Sequence, residues 1–128
     1  MTLDSSALVA ILLSEAGSLD LVDRILEADS VRIGAPTLVE SGMVFSARRG
    51  KASTREVDDL VRELGVTVIP FAEAESRAAL AAFQRFGRGR HQAALNFGDC
   101  LAYATAAVAG DTLLFVGDDF RRTDIEPA

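Results

Sequence analysis

The chain has 128 residues, of which 49% are hydrophobic and 25% are charged, and this balance excludes disordered, collagen-like and coiled-coil proteins. Its net charge of −6 at pH 7 excludes a generic nucleic-acid coat, which would neutralise phosphates with an excess of basic residues. One cysteine excludes an intramolecular disulfide framework and is typical of a cytoplasmic protein. Because no apolar run approaches ~20 residues and residues 1–4 include no basic side chain, we expect neither a membrane span nor a signal peptide.

Strand-like and helix-like segments alternate along the chain. Short apolar or β-branched runs predict strands at residues 1–4, 31–34, 66–69 and 112–116, with a short last strand at 123–125. Apolar residues at spacings of three and four predict helices at residues 7–13, 18–28, 36–49, 53–64, 73–86 and 98–108. This alternation predicts a single α/β domain over residues 1–128, with a mostly parallel sheet and helices on both of its faces.

Several helix ends carry recognisable signals. Serine precedes the first helix and is predicted to cap it, and Pro36 has the favoured place in the first turn of the third helix. Gly50 is predicted to end that helix. Ser53 and Glu56 have the spacing of a capping box, in which each side chain bonds to the backbone N–H of the other residue.

Acidic residues fall where predicted strands end or where predicted helices begin. Asp4 ends the first strand, and Asp118 and Asp119 follow the fourth. Glu40 lies one turn into the third helix, and Asp99 opens the apolar helix. Because ligands bind at the carboxyl ends of the strands in open parallel sheets, we expect these carboxylates to converge at one edge.

Most of these acids also have a purely structural interpretation. Asp4 has the residue type of a helix cap, and Asp99 would be favoured by the dipole at a helix N-terminus. Asp118 and Asp119 follow a glycine and fit an ordinary turn.

Glu40 is harder to explain structurally. On a helix of 3.6 residues per turn it shares a face with Met43, Val44 and Ala47, and its neighbour Val39 is also apolar. A carboxylate on a core-facing stripe costs several kcal/mol unless it is paired or holds a metal. The structural alternatives are a buried salt bridge and a stripe edge that meets solvent.

Several carboxylates at one edge cannot all stay ionised without a cation. With one histidine and one cysteine in the chain, the site would be built from oxygen, which selects Mg²⁺ or Mn²⁺ over Zn²⁺. Such ions promote phosphodiester cleavage. Nucleophilic catalysis by cysteine or by a serine–histidine pair is disfavoured, because Cys100 lies on an apolar helix and His91 in a loop of glycine and arginine.

Four segments together resemble the motifs of PIN-domain ribonucleases, in the same order and over the whole chain. They are Asp-Ser-Ser-Ala-Leu-Val-Ala at 4–10, Leu-Val-Glu at 38–40, Asn-Phe-Gly-Asp-Cys-Leu-Ala-Tyr-Ala at 96–104, and Leu-Phe-Val-Gly-Asp-Asp-Phe at 114–120 with Thr-Asp-Ile at 123–125. The last resembles the ending of bacterial VapC toxins. The resemblance implies a three-layer α/β/α sandwich and a magnesium-dependent endoribonuclease. It also implies a toxin that a cognate VapB-type antitoxin holds inactive, usually as homodimers that assemble further.

The resemblance also implies roles for the acids. Asp4, Glu40 and Asp99 correspond to the acidic site of the family, and the fourth acid usually precedes the phenylalanine directly, which favours Asp119 and leaves Asp118 open. Asp4, Asp99 and Asp119 would hold one or two Mg²⁺ ions, and a carboxylate such as Glu40 would orient the water that attacks phosphorus.

Other residues have lesser expected roles. Ser6 matches a serine or threonine that orders the site in the family. Thr2 departs from the family, which usually has a bulkier apolar residue there. Arg88, Arg90 and His91 would guide the RNA backbone, unless they form only a solvated loop.

Two other functions remain open at this point. One is a PIN-like binding module that has lost catalysis, which the presence of every acid disfavours. The other is a different metal-dependent phosphotransfer enzyme with Asp4 as nucleophile, which would want a second acid beside Asp4 where the chain has Ser5 and Ser6.

Overall fold

The computed structural model describes residues 1–49 and 54–128. The strands are β1 (Thr2–Leu3), β2 (Arg32–Gly34), β3 (Thr67–Ile69) and β4 (Leu113–Leu114). The helices are α1 (Ser5–Leu12), α2 (Ser18–Glu27), α3 (Ala35–Arg49), α4 (Thr54–Glu63), α5 (Glu73–Phe86) and α6 (Phe97–Ala109), followed by a 3₁₀ turn (Phe120–Arg122). The predicted helix end at Gly50 and the predicted cap at Ser53 lie outside the described residues.

The four strands form one parallel sheet in the order β3-β2-β1-β4. Ile33 lies opposite Val68, and Leu3 lies opposite Leu114. The chain therefore moves outward from β1 to β3 and then returns to the other side of β1. The direction of winding changes between β1 and β4, and a crevice for ligands is expected at the carboxyl ends of these two strands.

Hydrophobic cores lie on both faces of the sheet. One core joins Leu3, Ile33 and Leu114 to helices α1 to α4, and the other joins Leu113 to α5 and α6. Leu113 and Leu114 belong to opposite cores because successive strand residues point to opposite faces. The predicted α/β/α sandwich with a parallel sheet is confirmed.

The end of the chain differs from the prediction. Strand β4 has two residues where five were predicted. Val116, two residues beyond the end of β4, donates its N–H to the Ser6 hydroxyl at 2.9 Å. The predicted strand at 123–125 is wrong, because these residues form bends. The Thr123 hydroxyl donates to Phe120 O at 2.7 Å and accepts from the Ile125 N–H at 3.2 Å, and such local bonds compete with a strand ladder.

The apolar stripe predicted on α3 is also wrong. Val39 and Met43 are 62% and 68% exposed, whereas the buried face carries Thr37, Ser41 and Phe45 at intervals of four. Glu40 is half-buried, and its carboxylate lies against Gly98 in α6. None of the helices in the described part of the chain combines the length and apolarity needed to cross a bilayer.

Candidate active site

Asp4 lies where β1 ends, and it is the N-cap of α1. Its Oδ2 atom accepts hydrogen bonds from the Ser6 backbone N–H at 3.0 Å and from the Ser6 hydroxyl at 2.5 Å. The predicted serine cap is therefore wrong, because the aspartate before the two serines reaches the free N–H groups of the first turn. The capping interpretation of Asp4 is correct for one of its two oxygens.

The other oxygen of Asp4 points to a second role. Asp4 is 3% exposed, and its Oδ1 atom is buried with no hydrogen-bond partner among the described residues. Burial is the main cause that raises the pKa of this carboxyl, against the hydrogen bonds from Ser6. An unpaired buried carboxylate oxygen is costly, so this atom has unused capacity for a cation or a proton.

Ser6 joins the two strands that border the crevice. Its hydroxyl donates to Asp4 and accepts from the backbone N–H of Val116, 110 residues away in sequence. The chain that leaves β4 is thereby tied to the chain that leaves β1. This geometry suits the site-ordering role predicted for Ser6.

Glu40 reaches the site from α3. Its carboxylate lies against Gly98, in the first turn of α6. Burial is the main cause that raises its pKa, and the negative charge of Asp99 adds to the rise, while a hydrogen bond from the Ser5 side chain lowers it. Sequence reasoning missed both Ser5 and Gly98 as neighbours of this acid.

Asp99 belongs to a capping box at the start of α6. The Asn96 Oδ1 atom accepts from the Asp99 N–H at 3.0 Å, and the Asp99 Oδ2 atom accepts from the Asn96 N–H at 2.8 Å. Burial chiefly raises the pKa of Asp99, followed by the charges of Asp4 and Asp119, while Asn96 and Arg88 lower it. The spacing of Asn96 and Asp99 was the sequence signal that could have identified Asn96.

The two adjacent aspartates after β4 have different neighbours. Both are exposed. Asp118 Oδ1 lies 3.6 Å from Arg121 Nε, whereas the charge of Asp119 acts on Asp99. Adjacent side chains point in different directions, so one member of the pair approaches the other acids. Asp4, Glu40, Asp99 and Asp119 are called the acidic cluster below.

Repulsion links the acidic cluster. The charge of Glu40 raises the pKa of Asp4, that of Asp99 raises the pKa of Glu40, and those of Asp4 and Asp119 raise the pKa of Asp99. A hard divalent cation would relieve this repulsion, and the donors are all oxygen, with the unpaired Asp4 Oδ1 among them. The donor chemistry therefore fits Mg²⁺ or Mn²⁺.

The predicted ligands Asp4, Asp99 and Asp119 do not yet form a closed set. Among residues 1–49 and 54–128, no three histidine, cysteine, aspartate or glutamate side chains are already arranged as ligands of one metal ion. Asp4 is buried, Asp99 is half-buried and Asp119 is exposed.

The three predicted RNA-guiding residues lie in different surroundings. Arg88 is near enough to Asp99 to lower the pKa of that carboxyl. The Arg90 guanidinium lies 5.2 Å from the Phe83 ring centroid. His91 accepts a hydrogen bond from the Ala93 N–H at 3.1 Å, and its ring and the Phe86 ring form a T-shaped pair. Arg90 and His91 thus contact α5 and their own loop.

Cys100 follows Asp99 in α6 and packs among apolar residues. It is 4% exposed, and burial chiefly raises the pKa of its thiol, with a further rise from the charge of Asp99. It lines an apolar cavity of about 580 Å³ between α5 and α6, together with Phe71, Leu80, Phe83 and Phe97. No acid of the acidic cluster lines this cavity.

Comparisons with known proteins agree with this architecture. The PIN domain family matches residues 1–126. The chain is 42% identical to the VapC ribonuclease Mb2004c of Mycobacterium bovis over 127 residues, which are 98% of this chain and 91% of that protein. It is 40% identical to ribonuclease VapC28 of Mycobacterium tuberculosis, over 100% of this chain and 97% of that protein. The fold also resembles the crystal structure of the toxin VapC20 of Mycobacterium tuberculosis, with a TM-score of 0.75 at 16% identity, covering 99% and 97% of the two chains.

Proposed function

Because the chain belongs to the PIN domain family, we propose that it is an endoribonuclease that hydrolyses RNA phosphodiester bonds with Mg²⁺, or Mn²⁺ in its place, as cofactor. The observation that carries this proposal is the acidic cluster around Asp4 Oδ1, a buried atom with no hydrogen-bond partner in the described part of the chain. Burial and the charges of neighbouring acids raise the pKa values of Asp4, Glu40 and Asp99. Relatives at about 40% identity are named VapC ribonucleases, which supports RNA as the substrate.

Asp4, Asp99 and Asp119 would hold the cation. When bound, Mg²⁺ supplies stabilisation for the negative charge that develops on the phosphate and on the leaving oxygen. Ser6 keeps the Asp4 carboxylate in place by its two hydrogen bonds, and Asn96 does the same for Asp99. The backbone around the site is thus held before RNA arrives.

Glu40 is the candidate base. Its half-buried position raises its pKa, which makes the carboxylate a better acceptor for the proton of an attacking water. The water oxygen forms a bond to phosphorus as Glu40 takes its proton, and the bond from phosphorus to the 3′-oxygen breaks. The leaving 3′-oxygen takes up a proton from solvent, so the products are a 5′-phosphate and a 3′-hydroxyl. Arg88, whose charge lowers the pKa of Asp99, would pair with a backbone phosphate.

The biological role that we propose is that of a toxin paired with a VapB-type antitoxin. The names of the relatives, VapC ribonuclease and VapC toxin, support this role. The chain would form homodimers that assemble further with the antitoxin. An acidic cluster would attract an arginine side chain from such a partner, which could displace the metal.

Cleavage of a long transcribed RNA of mixed sequence tests the enzymatic proposal. We expect cleavage with Mg²⁺, its loss in excess EDTA and its recovery when Mg²⁺ is restored. Asp99→Asn should abolish cleavage, and Asp118→Asn is the matched control. Full activity in excess EDTA would refute the metal dependence, whereas RNA binding without cleavage by the unaltered chain would favour the binding-module alternative.

A further inference from the structure

We propose that Gly98 is a positioning residue, whose missing side chain leaves the space in which the Glu40 carboxylate lies. This inference rests on the proposed function, since it concerns the acid that we assign as the base. Gly98 lies within the motif at 96–104, but the resemblance to the family implied no role for it.

The geometry at Gly98 is unusually restrictive. A Cβ atom added to Gly98 would lie 2.6 Å from both Cδ and Oε2 of Glu40, and closer still to Oε1. Real Cβ atoms essentially never approach another atom within 3.0 Å. The carboxylate of Glu40 therefore occupies the volume that the β-carbon of any other residue would need.

The backbone offers no other reason for glycine at this position. Gly98 lies within α6 in an ordinary helical conformation and is not among the glycines with positive φ. A helix that contains glycine in its interior is less stable than one with alanine there, because glycine loses more backbone freedom on folding. A residue that weakens the helix without a conformational reason points to the side chain that it accommodates.

If a larger residue replaced Gly98, the Glu40 side chain would move and the backbone of α6 would not. The first turn of α6 is held by the capping box between Asn96 and Asp99, with bonds of 2.8 and 3.0 Å. The Glu40 carboxylate is the far end of a flexible side chain, which moves at low cost. An alanine at 98 would thus displace this carboxylate from Asp99 and Ser5, and leave α6 in place.

The test compares Gly98→Ala with Gly42→Ala. Gly42 lies on α3, two residues beyond Glu40, and an added Cβ there meets nothing within 4 Å. We expect both variants to unfold at a temperature equal to or above that of the unaltered protein. On the mixed-sequence RNA, Gly98→Ala should lower kcat at least ~10-fold with little change in KM, whereas Gly42→Ala should leave both unchanged.

A double-mutant cycle shows whether the loss acts through Glu40. Adding Gly98→Ala to Glu40→Gln should cost no further activity, and its effect should shrink when Glu40→Asp shortens the acid. A crystal structure of Gly98→Ala should show the Glu40 carboxylate displaced and α6 unmoved, which is a readout independent of cleavage.

The outcomes separate this inference from the proposed function. Gly98→Ala with full activity, alongside an inactive Glu40→Gln, would overturn the role of Gly98 and leave the nuclease in place. A lowered unfolding temperature for Gly98→Ala would also overturn it, since α6 would then have yielded. If the unaltered protein cleaves no RNA, the proposed function fails, and if Glu40→Gln and Asp99→Asn both cleave normally, the acidic cluster is not the active site. In either case the crystal structure of Gly98→Ala decides whether Gly98 positions Glu40.

Discussion

The Tyr103 hydroxyl donates a hydrogen bond of 2.6 Å to the Asp124 Oδ1 atom, and this bond joins α6 to the segment that follows β4. Arg85 on α5 binds the other oxygen of Asp124 at 2.8 Å. Because α6 carries Asp99 and the segment carries Asp119, the contact helps to set the distance between two members of the acidic cluster. Tyr103 has its pKa raised to about 12, mainly by burial and then by this bond, so it keeps the proton that it donates.

Tyr103→Phe is expected to lower the free energy of unfolding by about 1 kcal/mol, the usual worth of one hydrogen bond. It should also lower kcat, because Asp119 loses part of its support. Urea unfolding and RNA cleavage measure the two effects. Glu73→Gln is the control, since it removes an exposed ion pair with Arg77 on α5 and should change little. Unchanged cleavage by a destabilised Tyr103→Phe would show that the bond is structural only.

Asp119→Asn should reduce activity far more than Asp118→Asn, by roughly 100-fold, the scale seen when a group that supports a metal site is lost. The physical reason is that the charge of Asp119 acts on Asp99, while Asp118 faces Arg121. Cleavage rates and Mg²⁺ titrations of both variants should rank them alike. The reverse ranking would exchange the two assignments, and two silent variants would leave Asp4, Glu40 and Asp99 as the site.

Expression of the chain alone should arrest bacterial growth, and Asp99→Asn should relieve the arrest. The variant keeps an oxygen that can accept the Asn96 N–H, so α6 should remain capped. It also removes one of several repelling charges, and we expect its free energy of unfolding to rise. Growth curves and thermal unfolding check the two effects. An equally toxic Asp99→Asn would place the active site elsewhere.

The stability of the metal-free protein should fall as pH rises. Burial raises the pKa values of Asp4, Glu40 and Asp99, so these groups bind protons more tightly in the folded chain than in the unfolded chain. The free energy of unfolding then decreases from about pH 4, the ordinary carboxyl value, through the raised values. Asp124 acts in the opposite sense at lower pH, because its lowered pKa stabilises the fold until pH falls through that value.

Thermal unfolding with EDTA between about pH 5 and about pH 8 measures this dependence. Asp99→Asn should reduce the slope, and Asp23→Asn, which alters an exposed acid on α2, should keep it. Adding Mg²⁺ at the upper pH should recover stability. A slope that is identical in all three proteins would mean that the acidic cluster does not control it.

Local signals in the sequence were sufficient where neighbours along the chain decide the structure. Helix α5 has the same bounds in prediction and structure, because Pro70 precedes its start and Gly87 follows its last turn. The strand at 123–125 failed because the Thr123 hydroxyl satisfied local backbone groups. The prediction of a buried apolar stripe on α3 was wrong because Val39 and Met43 face away from the cores. Their spacing of four residues fits a buried helix face equally well, so the sequence pattern could not show which face is buried.

The sequence by itself determined the alternating α/β order, the parallel sheet and the acids that lie at its carboxyl edge. These features follow from residue type and from short spacings, which act within one helix or strand. Only the tertiary structure decided how Glu40 is held, which oxygen of Asp4 is unpaired and which of Asp118 and Asp119 approaches Asp99. The contacts of Glu40 and Asp119 join segments far apart in sequence, and their geometry depends on how α3, α6 and the segment after β4 pack around the same crevice. Ser6 binds Asp4 Oδ2 locally, but the burial of Asp4 Oδ1 also depends on this packing.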